Sequence, residues 1–296
     1  SGTNTAANTI AGAIVNSSAA TAVTKSGAGT WILSGNNTYT GNTTVSAGIL
    51  NLPPDSELDS PTHGHSVTSG AALQLQGNIA IVDEPLRLSG TGIATTGALR
   101  SVSGNNAWTG AITLAAASRI QTDADTLTLA GNFTGAFGLT FDGVGATTVS
   151  GNIATGAGTI IKLGTGTLTL SGTNTNTGAT TINNGTLLLG ADSLPASALT
   201  VATNTDGGTA ALALAGHNAT ITTLSLGGAT GATATSAANI TTAAGKLTLG
   251  GTLTFTSVGN PLGSTISGNL SLGGATRTFY IADSTTAVTD LAIPAV

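Results

Sequence analysis

Apolar and polar residues alternate along most of this chain. Thr30-Trp31-Ile32-Leu33, Thr126-Leu127-Thr128-Leu129, Thr167-Leu168-Thr169-Leu170 and Lys246-Leu247-Thr248-Leu249 are examples, and a period of two is the signature of half-buried strands. No stretch of about eleven or more residues places apolar side chains at spacings of three and four, and glycine recurs too often for a helix to survive its propensity cost. Each short strand is followed by Ser-Gly, Gly-Asn, Asn-Gly or Gly-Gly, dipeptides that let a backbone turn without a steric penalty. The pattern predicts strand, sharp corner, strand from Asn8 to about Val296, with negligible helix. The expected inward positions are Leu33, Val45, Leu50, Leu170, Ile182, Leu187 and Leu189.

The pattern also repeats. Lys25 to Leu52 and Lys162 to Leu189 align without gaps at an offset of 137 and agree at 16 of 28 positions. Glycines punctuate both copies, at Gly27/Gly164, Gly29/Gly166, Gly35/Gly172, Gly41/Gly178 and Gly48/Gly185, and aliphatics hold the core positions, such as Leu33/Leu170. Glycines make corners and aliphatics make the core. Weaker echoes at Thr9–Ile14, Thr148–Ile153 and Thr289–Val296 set a larger unit of roughly 140 residues. The expected organisation is one continuous solenoid over 1–296, with motifs at 25–52 and 162–189.

The shared motif runs Lys-x-Gly-x-Gly-Thr-x-x-Leu-Ser-Gly, then Asn-Thr-x-Thr-Gly-x-Thr-Thr, then Gly-x-Leu-x-Leu. It resembles the autotransporter-associated β-strand repeat, also called the passenger-associated transport repeat. Gly97–Gly110 and Leu270–Thr278 resemble the spacers between such repeats. The resemblance implies a right-handed parallel β-helix (β-solenoid) on a bacterial surface, carried in passenger proteins that act as adhesins or filaments. No region shows the long alternating strands of a C-terminal translocator barrel. With about 20 to 25 residues per coil, as the resemblance implies, the chain is expected to make about 12 to 14 coils.

Composition narrows the function. Charged residues are 6% of the chain and aromatics 3%, yet 40% is hydrophobic, so a thin aliphatic core fits better than a globule packed on aromatic rings. A net charge of −5, with seven Lys and Arg scattered along the chain, offers no stripe for a phosphate backbone. No apolar run reaches the length of a membrane span. There is no cysteine, hence no disulfide framework. The chain begins at Ser1 without a charged and then apolar leader and reads as a mature or excised segment.

Candidate chemistry is sparse. Asp55, Glu57 and Asp59 would share one face of a strand, where a hard cation binds, and His63 with His65 could take a borderline metal. Pro53, Pro54 and Pro61 favour the plainer reading of an inserted, solvated loop, and no metal site is expected. Asp123 and Asp125, with Arg119 near in sequence, offer the paired carboxylates of glycoside chemistry; a solvated turn is the plainer reading. Lys25 and Lys162 start each motif, and a lysine at a corner is expected to lie over the coil with its head in water or to pair with an acid between coils. Trp31, Tyr39 and Trp108 would suit stacking on sugar rings if they shared a surface. His217 reads as a lone, solvated side chain.

These readings converge on an extracellular structural or adhesive protein of a bacterial surface, without catalytic residues or cofactor. The expected partner is the chain itself, end to end, or flanking repeats of a longer chain, with surface glycans or a host surface as possible targets. A carbohydrate-active β-helix enzyme and an ice-binding solenoid are the alternatives. The second is disfavoured because Thr126-Leu127-Thr128 and Thr167-Leu168-Thr169 do not recur at one coil length.

Overall fold

Backbone amides of a short strand cannot all bond within their own segment, so each strand here lies against the strand one coil later. The computed structural model describes residues 6–54, 56, 58, 64–202, 208–228, 236–258 and 260–294. Strand pairing among them is parallel, as in Gly48–Leu52 against Ala71–Gln76 and Leu199–Val201 against Leu224–Leu226. The architecture is a parallel β-solenoid, and the one helical element among the described residues is a 3-10 turn at Ile93–Thr95. Two compact units are distinguished, Ser1–Thr155 and Gly156–Val296.

In the first unit three strand columns enclose the core. One column contains Val23–Lys25, Thr43–Val45, His65–Val67 and Leu86–Gly90. A second contains Thr30–Leu33, Gly48–Leu52, Ala71–Gln76 and Leu99–Ser103. A third contains Ala80–Ile81, Asn106–Trp108, Thr126–Leu129 and Ala146–Val149. The long strand Ile112–Thr122 belongs to the first two columns, pairing with Leu86–Gly90 through its start and with Leu99–Ser103 through its end.

The second unit builds one column from Ile160–Lys162, Thr180–Ile182, Leu199–Val201, Leu224–Leu226, Leu253–Phe255 and Phe279–Ile281. Another starts with Thr167–Leu170, Gly185–Leu189, Thr209–Ala213 and Ala237–Leu249.

Coil length varies more than the sequence suggests. Thr167 faces Thr186 across a short coil, whereas the coil that brings Leu224 to Leu253 is half as long again. A one-residue slip would turn every inward side chain outward, and most strand pairs keep one register while corners take up extra residues; bulges inside Leu99–Ser103, Ile112–Thr122 and Ala237–Leu249 absorb the rest.

Side chains at equivalent register positions stack into columns. Leu50, Leu73, Leu99, Ile120 and Phe141 lie over one another in the first unit, and Leu168, Leu187, Leu212, Ile240 and Ile266 in the second. All ten are buried, each contributing about 1.5–3 kcal/mol of apolar burial. Every inward position read from the sequence is buried as well. Some of the few aromatics join this core: Phe133 and Phe141 meet edge to face at 6.5 Å, and Tyr39, Trp108 and Phe255 are enclosed.

Candidate functional site

The polar groups of the repeat motif converge on its corner. Lys25 ends the strand Val23–Lys25 and points inward, 5% exposed. Its Nζ donates to the carbonyl oxygens of Ser26 at 3.2 Å, Gly27 at 2.6 Å and, one coil later, Ala47 at 2.8 Å. Lys162 repeats the arrangement at 3% exposure, donating to Leu163, to Gly164 at 2.7 Å and to Asn184 at 3.3 Å. This corrects both sequence readings of these lysines, because the ammonium neither reaches water nor meets a carboxylate. Three carbonyls match its three donors. Burial pushes the Lys162 amine down to about 8 and lowers Lys25 in the same direction.

The glycines shape this cradle. Gly48 and Gly185 have φ of +67° and +66°, and a Cβ at Gly48 would lie 2.5 Å from the Gly29 carbonyl and 2.6 Å from Lys25 Nζ. At Gly185 it would lie 2.6 Å from the Gly164 carbonyl and still closer to that of Gly166. Gly35 and Gly41 need no unusual φ. A Cβ at Gly35 would meet the Gly12 carbonyl at 2.5 Å, and one at Gly41 would collide with that of Thr21. Gly178 meets the Ala157 carbonyl in the same way at 2.5 Å, and Gly172 is likewise buried. Close approach of the preceding coil, and not freedom to turn, is what excludes a side chain at Gly35.

Each motif is also fastened by a serine that lies just beyond the recurring segment. Ser56 Oγ donates to the Leu33 carbonyl at 2.5 Å, and Ser193 Oγ to the Leu170 carbonyl at 2.8 Å. The two serines are separated by the same offset as the motifs themselves. Ser56 and Leu58 are buried, so these two positions are not solvated as the loop reading expects. Asp55, Glu57, Asp59 and His63 lie outside the described residues.

His65 is 2% exposed, with both ring nitrogens occupied. The Thr43 N–H donates to Nδ1 at 3.2 Å, and Nε2 lies 2.8 Å from Glu84 Oε2. Trp108 Nε1 donates to the Glu84 carbonyl at 2.9 Å, and the Tyr39 hydroxyl meets Thr43 Oγ1 at 2.6 Å. A metal would have to displace one of these bonds at His65. Burial pushes His65 down to about 4 and the Tyr39 phenol up to about 12. Glu84 carries no sequence motif; its one signal is that it follows His65 by the length of one short coil. Tyr39 and Trp108 belong to this buried network and cannot stack on a glycan, while Trp31 stands apart at 37% exposure.

The acidic pair is also hydrogen-bonded within the fold. Asp123 Oδ2 accepts from Arg100 Nε at 2.6 Å and Asp123 Oδ1 from Gln121 at 2.7 Å. Asp125 accepts the Gly104 N–H at 2.7 Å. Arg119 pairs with Asp142 instead. His217 is not isolated, since its Nδ1 lies 3.4 Å from Asp192. Among the described residues no group of three or more His, Asp or Glu is placed to hold a metal, and no helix is long and apolar enough to cross a membrane.

The two lysine corners coincide with the segments that a family comparison selects. Residues 23–52 and 160–189 each match the model of the passenger-associated-transport-repeat. The chain carries two passenger-associated transport repeats. Each repeat spans two successive coils on two columns: in the first, Thr43–Val45 lies on Val23–Lys25, and Gly48–Leu52 on Thr30–Leu33. Comparison with curated proteins and with solved structures gives no match. Passenger repeat and parallel solenoid together fit a secreted, autotransporter-passenger-like protein of the cell surface.

Proposed function

We propose that the protein is a structural or adhesive solenoid of a bacterial surface and not an enzyme. The observation that carries this reading is the use made of the motif's polar groups. The repeat lysines, Ser56 and Ser193 all bond to backbone carbonyls of their own or an adjacent coil, so what the motif shares between its copies serves cohesion. A hydrolase reading finds little support at Asp123, whose carboxylate is already held by Arg100 and Gln121. An ice-binding face needs a two-dimensional hydroxyl array. The outward pair Thr167 and Thr169 faces Thr186 and Leu188, and those in turn face Ala211 and Ala213, so the array ends after one coil.

Assembly with further coils is part of the proposal. Phe279 and Ile281 continue the inward positions of Leu253 and Phe255, but they are 36% and 45% exposed where Leu253 and Phe255 are buried. A further coil, from flanking repeats or from a second copy, would cover them as each coil covers the one before. Negative-stain microscopy and light scattering test the second copy. Uniform unbranched fibres support it, and a stable monodisperse monomer at high concentration overturns it. Binding to a panel of immobilised glycans tests the adhesive role.

A further inference from the structure

One rung of the first unit's coil-to-coil ladder is made by a side chain. Along the column containing Val23–Lys25, the first residue of a strand donates its N–H to the carbonyl of the residue just before the partner strand. Val23 bonds to Asn42 at 2.9 Å, His65 to Pro85 at 2.8 Å, Leu86 to Ala111 at 2.8 Å and Ile112 to Asn132 at 2.9 Å. Thr43 departs from this series, since its N–H donates to Nδ1 of His65. The second repeat supplies an internal control. Thr180, the counterpart of Thr43, faces Leu199 and makes the ordinary bond to the Ala198 carbonyl at 2.9 Å.

An Nδ1 that accepts a hydrogen bond carries no proton, so the ring is the neutral Nε2–H tautomer donating to Glu84. Groups packed around it leave little room to adapt. On the side of Thr43–Val45 stands Tyr39, bonded to Thr43 Oγ1. On the side of Leu86–Gly90 stand Glu84 and, on the outward face opposite Ser66, Arg87. The edge of Trp108 closes the pocket at a centroid distance of 6.4 Å, and Ala71–Gln76 contributes no titratable group.

We propose that His65 is a proton-operated latch: protonation at Nδ1 abolishes the rung from Thr43 and loosens the coil that joins Thr43–Val45 to His65–Val67. Glu84 would attract the new cation, but its bond to Nε2 exists already in the neutral state, whereas the added proton faces the Thr43 N–H with no acceptor between them. The direction of the histidine's shift agrees. Burial holds the closed form's ring at about 4, and an opened ring titrates near 6.5. The opened form therefore binds the proton first. Closure is fully favoured above about pH 6.5 and weakens as pH falls to about 4, by tenfold per unit and about 300-fold in all.

Hydrogen exchange across pH 7 to 4, corrected for the intrinsic rate, tests the latch on the whole chain. Amides of 43–52 should open more readily as pH falls, relative to their counterparts 180–189, by up to about 300-fold. His65→Leu, which installs the residue type found opposite Thr180, should remove that difference. Equal acid responses of the two repeats, or a His65→Leu variant that keeps the response, would overturn the proposal. Should that variant fail to fold, nitrogen-15 spectra of the wild-type histidines decide. An Nε2–H ring titrating near 4 is expected for His65, and titration near 6.5 excludes the latch.

Discussion

Replacing Lys162 by Met keeps the aliphatic stem and removes three donors from a closed corner. Each bond from an ammonium to a buried carbonyl contributes about 1.5–3 kcal/mol, roughly 5–9 kcal/mol over three acceptors. Against this stands the desolvation of the charge. A pKa held at about 8 instead of 10.5 corresponds to about 3 kcal/mol, at a site only 3% exposed. The balance is a loss of about 2–6 kcal/mol at neutral pH, which lowers the melting temperature of a unit of this size by at least about 4 °C. Thermal unfolding followed by circular dichroism measures it. The pH dependence supplies a second, independent sign. Above about pH 8 the folded amine releases a proton that the unfolded chain still holds, so wild-type stability rises with pH. Its margin over Lys162→Met should widen by up to about 3 kcal/mol between pH 8 and 10.5. A variant as stable as wild type would refute the cradle, and a margin that stays flat with pH would refute the desolvation.

Gly48→Ala combines a left-handed φ with contacts to two carbonyls and to Lys25, and should cost more than about 3 kcal/mol. Gly70→Ala, at φ +82° but with open space around its Cβ, should cost only about 1–2 kcal/mol; equal losses in urea titrations would mean that the corner packing is wrong. Joint replacement of Asp123 and Asp125 by Asn should lower stability by no more than about 2 kcal/mol and leave polysaccharide cleavage absent in both proteins. Any cleavage lost on that replacement reopens the enzymatic reading. The Tyr39 phenol should ionise with a midpoint near pH 12 in the folded protein, and a midpoint near pH 10 would show that its pocket is open.

Much of this architecture is legible in the residues. Period-two spacing reports which side chains face a core, and Leu33, Val45 and Leu187 sit inside as that spacing requires. What stays hidden depends on which coil lies on which. Glu84 meets His65, and Arg100 meets Asp123 in preference to the sequence neighbour Arg119, because vertical register sets these pairs. Coils differ in length by as much as those joining Thr167 to Thr186 and Leu224 to Leu253, so no single offset predicts them. The lysine cradles stay hidden for a related reason. Long charged side chains normally reach for water, and only the packing of two coils shows three inward carbonyls replacing it. Ser56 and Ser193, by contrast, can be found by extending the motif's own offset a few residues beyond Leu52.

The lysine corner also bears on the order of events as the chain folds. Lys25 takes two acceptors from its own corner, but the third, Ala47, belongs to the following coil. Until that stretch is laid down the ammonium is still hydrated, and a coil standing alone has no means to draw it inward. Desolvation and completion of the cradle therefore happen in one step, when the second coil docks. The smallest piece of the solenoid able to close is a pair of coils, which is also the length of sequence that recurs, so the chain is expected to consolidate in double steps as it emerges.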